Sequence, residues 1–295
     1  MAVSIRAVDP FFFEATSVAS VGPGRYRATI DPSWNLRPLP QGGIVTAVAL
    51  RAMADTLDDP TQSVRSLHTA FCAQVPDGEV EIAVDVLRQG RSVSQLRAEV
   101  TAPGAERGHL TTAIFGAERP GFDFTDLQAP DDVPPPDVCP SYRDPAPEWV
   151  EGFAPMAFWA ERVEGRVVYG HAPWDDYVPE RAERVMWYRF DEPPLLDDGS
   201  LDPFALVVLA DTMPGAVNEK VGSPARAWFA PSVDLTVHLL DACRSPWVLA
   251  HNRARFAGHG YASADMALWD CGPQGTAEPR LVAYATQLFL FSFSH

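Results

Sequence analysis

A chain of 295 residues, 46% of them apolar, has the composition of a globular protein with a substantial core, not of a disordered one. Its formal net charge of −16, with 23 basic residues of which Lys220 is the one lysine, argues against a nucleic-acid or anionic-membrane partner. No run of about 18 apolar residues is present to span a bilayer, and the four widely spaced cysteines (Cys72, Cys139, Cys243, Cys271) form no C-x-x-C pair, as expected of free thiols in a cytoplasmic protein without a bound metal.

The first residues, MAVSIRAVDPFFFEATS, lack the charged start, long apolar middle and small-residue cleavage site of a secretory signal. The first expected strand is Arg25-Tyr-Arg-Ala-Thr-Ile30, leading through Trp34 and a turn to Gly42-Gly43. There a helix opens, running from Ile44 to about Asp55, with Ile44, Val48, Leu50, Met53 and Leu57 making a largely apolar rod of about 20 Å. Four strands follow, Ser63 to Ala73, Glu79 to Arg88, Ser92 to Thr101 and His109 to Phe115. Turns at Pro76-Asp77-Gly78, Gln89-Gly90 and Pro103-Gly104 separate them. From Glu118 to Pro155, nine prolines mark a non-helical connector.

The same order then repeats. Met186-Trp-Tyr-Arg-Phe190 is a strand, and Asp202-Pro203 starts a helix, with Asp as N-cap and Pro at the first helical position. Four strands follow it: Ser232 to Leu240, Trp247 to Phe256, Tyr261 to Trp269 and Leu281 to Phe291. The chain thus divides into a first unit (1–117), a proline-rich connector (118–155) and a second unit (156–295). One helix against one sheet is a poor core, whereas two such sheets side by side bury more. The expected fold is α+β, one continuous double unit.

Three polar residues stand in runs where an unpaired polar group would be costly. Asp211 ends the run Pro203-Phe-Ala-Leu-Val-Val-Leu-Ala210, Ser232 opens a strand, and Gln287 interrupts the last strand. Each has an ordinary structural use: a helix-end cap, a strand start after Pro231, a bond across the sheet. Taken together they are expected to converge on one water molecule. Asp211 lies near a helix C-terminus, just before Pro214-Gly215. The dipole there disfavours an anion, and burial raises a carboxyl pKa, both suited to a general base near neutrality. Other chemistries lack their residues. There is no G-x-S-x-G elbow, no H-x-x-x-H or H-x-H spacing, and no P-loop or Rossmann glycine pattern. Asp234 and His238 share a strand face with Ser232, but four strand residues span about 13 Å, too far for a triad.

A long helix wrapped by a curved antiparallel sheet is the hotdog fold, and a tandem copy is a double hotdog. The chain resembles the acyl-CoA thioesterase II-like family at Trp34…Pro40-Gln-Gly-Gly43…Ala49-Leu-Arg-Ala52, Ser66-Leu-His-Thr-Ala-Phe71 and Leu87-Arg-Gln-Gly-Arg-Ser92. In the second half the matching segments are Leu209-Ala-Asp211, Ser232-Val-Asp-Leu-Thr236 and Val282-Ala-Tyr-Ala-Thr-Gln287. The resemblance implies a hydrolase that splits acyl-CoA into fatty acid and CoA without a cofactor. It places the water-orienting Asp, Ser or Thr, and Gln of the family on Asp211, Ser232 and Gln287. His68 matches a histidine of family members, either an auxiliary catalytic group or a core or interface residue. Gly42-Gly43 is either a tight turn or a source of backbone amides that polarise the thioester carbonyl.

The acidic chain offers no long-range attraction for CoA. Arg37, Arg51, Arg65, Arg88 and Arg91 are the candidates for a local cluster, or else are surface arginines. Two rival readings stay open, a non-catalytic acyl-thioester binder and a hotdog enoyl hydratase, although Asp31-Pro-Ser-Trp-Asn35 lacks the histidine of the hydratase pattern. Exposed sheet edges lead to the expectation of a homodimer or larger homo-oligomer.

Overall fold

Twelve strands join in one antiparallel sheet in the computed structural model of the chain, which describes residues 10–151, 153–172, 174–222 and 228–293. The first half contains α1 (Pro10–Ala15), β1 (Ala19–Gly22), β2 (Arg25–Ile30), α2 (Gly42–Leu57), β3 (Ser63–Phe71), β4 (Gly78–Arg88), β5 (Val93–Thr101) and β6 (His109–Gly116). The second half begins with α3 (Ala157–Glu161), β7 (Val163–Tyr169), β8 (Glu183–Phe190), α4 (Pro203–Ala210), α5 (Gly215–Val221) and β9 (Trp228–Phe229). It ends with β10 (Asp234–Leu239), β11 (Val248–Gly258), β12 (Tyr261–Asp270), β13 (Arg280–Leu290) and β14 (Ser292–Phe293).

The large sheet runs β1-β2-β4-β5-β6-β3-β10-β13-β12-β11-β8-β7, and β9 pairs with β14 in a separate ribbon. The order is a mirror about its centre, each half contributing two strands before its long helix and four after it. The seam is the pairing of β3 with β10, from Asp234 opposite Ala70 to His238 opposite Ser66. It is extended by Phe71 N–H donating to Val233 O at 3.0 Å.

Burial explains the helices. Nearly every residue of α2 from Gly43 to Met53 is buried, because the sheet covers one side and α4 the other. Gln41 caps its start, the side-chain oxygen accepting from Ile44 N–H, and Asp58 ends it in the left-handed conformation. The two helices approach so closely at Gly43 that a Cβ there would lie 2.8 Å from both Val207 O and Val208 Cα. As expected, Asp202 caps α4, its carboxylate accepting from Phe204 N–H. Among the described residues, no helix is long and apolar enough to cross a membrane.

Several elements escaped the sequence reading. In α1, Phe12 is buried against Trp34 and Phe190. In β7, Glu164, Gly165 and Arg166 break the apolar pattern, yet the strand forms because Arg166 and Arg189 neutralise the buried Glu164. The proline-rich segment is no free tether. Leu127, Ala129 and Val133 pack on the face of the second-half sheet that turns away from α4, over Trp187, Leu249 and Trp269. Pro134 O accepts from the Trp187 indole at 2.9 Å, and Tyr142 N–H donates to Gly165 O beside β7.

Candidate active site

Asp211 is the residue on which α4 ends, with φ −86° and ψ 48°, and the chain turns there toward α5. This turn aims its carboxylate at the first residues of α2. Gly43 N–H donates to Oδ2 at 2.9 Å, and the Ser232 hydroxyl donates to Oδ1 at 3.3 Å. Gln287 Nε2 donates both to Asp211 Oδ1 and, at 3.0 Å, to Ser232 Oγ. Residues 211, 232 and 287 therefore form one hydrogen-bonded group. Ser232 is held just before β10 by a bridge to Phe289 of β13, the strand that carries Gln287. Asp234 Oδ1 accepts from Leu288 N–H at 2.8 Å and fixes β13 next to Gln287.

Gln41 joins the two helices at this point, a role that its sequence context did not reveal. Its Nε2 donates to Val208 O at 2.7 Å and to Asp211 O at 3.0 Å, so that it serves the Asp211 carbonyl and adds a second donor to the Val208 carbonyl, which also accepts from Asp211 N–H. Its oxygen meanwhile caps α2. The signal available in the sequence was an amide side chain directly before a glycine pair that opens a helix.

The Asp211 carboxylate is almost fully enclosed, with 6% of the residue exposed. Burial pushes its pKa up to about 6, and the Gln287, Gly43 and Ser232 donors offset only part of that rise. The end of its own helix disfavours a charge, whereas the start of α2 favours one. At neutral pH the group is mostly ionised yet basic enough to take a proton. Gln287 is 2% exposed, and its Oε1 is buried with no hydrogen-bond partner among the described residues.

The two glycines are positioned differently from the expectation of amides facing a substrate carbonyl. The Gly43 amide is already engaged by Asp211. Gly42 is wedged, since a Cβ there would lie 2.7 Å from the Phe71 ring and 2.8 Å from Asp211 Oδ2. Beneath them lies a row of fully buried hydroxyls. Thr46 Oγ1 donates to Gly42 O at 3.0 Å and lies 3.2 Å from Thr69 Oγ1, itself 2.8 Å from Thr111 Oγ1.

His68 stands apart from this group. It is exposed, while its neighbours Leu67 and Thr69 turn inward, and its Nδ1 meets Thr236 Oγ1 across the seam at 2.9 Å. Arg51 is taken up by the half-buried ion pair with Asp202, at 2.6 Å. Arg37 donates to Ala154 O and Arg65 to Gly116 O, and Arg88 and Arg91 are exposed around the β4–β5 turn. Among the described residues, no three His, Cys, Asp or Glu side chains are grouped to hold a metal ion.

Comparison with known proteins adds a family match over most of the chain. The model of the acyl-CoA thioesterase N-terminal domain matches residues 30–116, and that of the acyl-CoA thioesterase C-terminal domain matches residues 130–291. None of the curated proteins matches the sequence. Among solved structures, the fold is similar to a conserved hot dog fold protein from Alicyclobacillus acidocaldarius, with 24% identity and a TM-score of 0.79 over 98% of this chain and 100% of that one. It is also similar to an acyl-CoA thioesterase II from Mycobacterium marinum, with 22% identity and a TM-score of 0.71 over 96% of this chain and 98% of that one.

Proposed function

The chain belongs to the acyl-CoA thioesterase family and is a thioester hydrolase, and on that footing we propose that Asp211, Ser232 and Gln287 are its catalytic group, with Asp211 as the general base. The observation that carries this reading is the enclosed carboxylate held by three donors beside the unpartnered Gln287 Oε1. A water bound here would donate one proton toward Asp211 and the other toward Gln287 Oε1. Its oxygen would then be aimed outward at a thioester carbonyl.

The step needs no covalent enzyme intermediate. As the carbon–oxygen bond forms, Asp211 takes a proton from the water. The carbon–sulfur bond then breaks, and that proton passes to the departing CoA thiolate. The products are a carboxylic acid and free CoA. Ser232 and Gln287 keep the carboxylate in place while its charge changes. The Gly43 amide acts on the base rather than on the substrate. His68, on the far face of the sheet, receives no part in the reaction.

For the fold we propose a double hotdog, with units at 1–117 and 156–295 joined by the 118–155 segment. The mirrored strand order and the helix pair α2–α4 support it. The test of function is free-thiol release from a panel of acyl-CoAs of graded chain length, with enoyl absorbance followed in parallel. Thiol release at a catalytic rate is expected. Loss of enoyl absorbance without thiol would identify a hydratase, and binding with neither change would identify an inactive acyl-thioester binder.

A further inference from the structure

Phe71 is the last residue of β3, half-buried, at the place where β3 passes the start of α2. Its ring and the Asp211 carboxylate crowd the same point, because a methyl group on Gly42 would press on both at once. From behind, the ring is supported edge-on by His109, with centroids 4.8 Å apart. His109 is buried, its Nδ1 has no partner among the described residues, and burial holds its pKa down at about 4. The support is therefore a neutral ring near neutral pH. Among the described residues, the groups that bond to the carboxylate are Gln287, Ser232 and the Gly42 and Gly43 amides, none of them charged.

The geometry points to Phe71 as the gate of the Asp211 site and as the side chain that selects the thioester by the bulk next to its carbonyl. This rests on the assignment of Asp211 as the base. In this proposal a thioester carbonyl within reach of a water on Asp211 sets its α-carbon, rather than its sulfur, against the Phe71 ring. A straight acyl chain passes the ring as a narrow methylene, whereas a branch or an aryl group at the α-carbon collides with it. The ring also shuts bulk solvent, beyond the one bound water, away from the carboxylate. In the sequence Phe71 closes a segment that resembles the family, but it reads there as one more strand aromatic.

The test compares kcat/KM for butyryl-CoA with that for isobutyryl-CoA and benzoyl-CoA in the wild type and in Phe71→Ala, Phe71→Leu and Phe71→Trp, with melting temperature as the check on folding. Phe71→Ala is expected to raise the branched-to-straight ratio about 10-fold or more, the discrimination that a small change of pocket volume supports. Phe71→Leu should give an intermediate ratio and Phe71→Trp a lower one than wild type, so the order survives the loss of any one variant to misfolding. A second readout is the acid limb of kcat/KM, which should move from about 6 toward the ordinary carboxyl value of about 4 in Phe71→Ala, as water reaches Asp211. A branched-to-straight ratio unchanged within about twofold across the folded variants overturns the gate. Asp211→Asn run alongside separates the two ideas. If that variant keeps its turnover, the base is misassigned, while the ratio in the Phe71 series still decides the gate.

Discussion

Asp211 works against its own stability. Its folded pKa of about 6 is above the value of about 4 expected in the unfolded chain. A raised carboxyl favours the folded state below the unfolded pKa, and that contribution is lost as pH rises through about 6. A rise of this size corresponds to at most about 3 kcal/mol. The unfolding free energy is therefore expected to decline between about pH 4 and 6 in the wild type and to decline less in Asp211→Asn, as measured by denaturant titration across that range. The asparagine fits the site, because its oxygen accepts from Gly43 while a flipped Gln287 accepts from its amide. In the same window kcat/KM should fall about tenfold per pH unit below 6, as the base becomes protonated. A flat profile from pH 4.5 to 8 would remove Asp211 from that role. The trio was legible in the sequence because each member is a polar residue in an apolar run and falls where the family resemblance places a water-orienting side chain. Gln41 and the Gly43 amide were not, since their partners across the helix pair lie about 170 positions away, where no local pattern encodes them.

At the scale of elements, the start of α2 is built to hold a carboxylate from another helix. Gly43 is fixed by Val207 and Val208 on one side and by its bond to Asp211 on the other. Gly43→Ala would drive α2 and α4 apart, because the obstructing atoms are backbone and cannot rotate away. A destabilisation of about 1–3 kcal/mol is expected from such overpacking, together with a loss of kcat, both measurable on the purified variant. Thr46 contributes more gently. Its hydroxyl bonds Gly42 O, the other end of the peptide whose N–H holds Asp211. Thr46→Val should cost about 1 kcal/mol and raise the midpoint of the acid limb of the rate profile by a few tenths of a pH unit. The main strands and both long apolar helices were legible because alternation and continuous burial leave clear patterns. In contrast, β7 was hidden by a buried Glu164 that two arginines neutralise, and α1 by its position ahead of the first clear strand.

At the scale of the molecule, the two halves share one sheet and one helix pair, so neither has a complete core. A single cooperative thermal transition is expected by calorimetry, and a fragment ending at residue 117 should not fold by itself. The proline-rich segment, read from sequence as a non-helical connector, also packs as a cover. It covers Trp187, Leu249 and Trp269 and lies along the outer edge of β7, leaving β1, a strand of four residues, at the other edge. A short strand and a covered edge both discourage edge-to-edge pairing, which bears on the expectation of an oligomer built that way. Trp187→Ala should cost about 3–5 kcal/mol, since its ring lies fully buried under the segment. A loss below about 1 kcal/mol in denaturant titration would show that the cover contributes little. Composition could not distinguish this arrangement from a tether, because prolines suit an ordered extended cover as well as a linker.

Steady-state thiol release from an acyl-CoA substrate by Asp211→Asn at pH 7.5, with melting temperature recorded on the same sample, tests the role of the enclosed carboxylate most directly. A fall in kcat of about 100-fold or more, with the melting temperature equal to or above that of the wild type, is the predicted result. Turnover within a few-fold of wild type in that folded variant would contradict it.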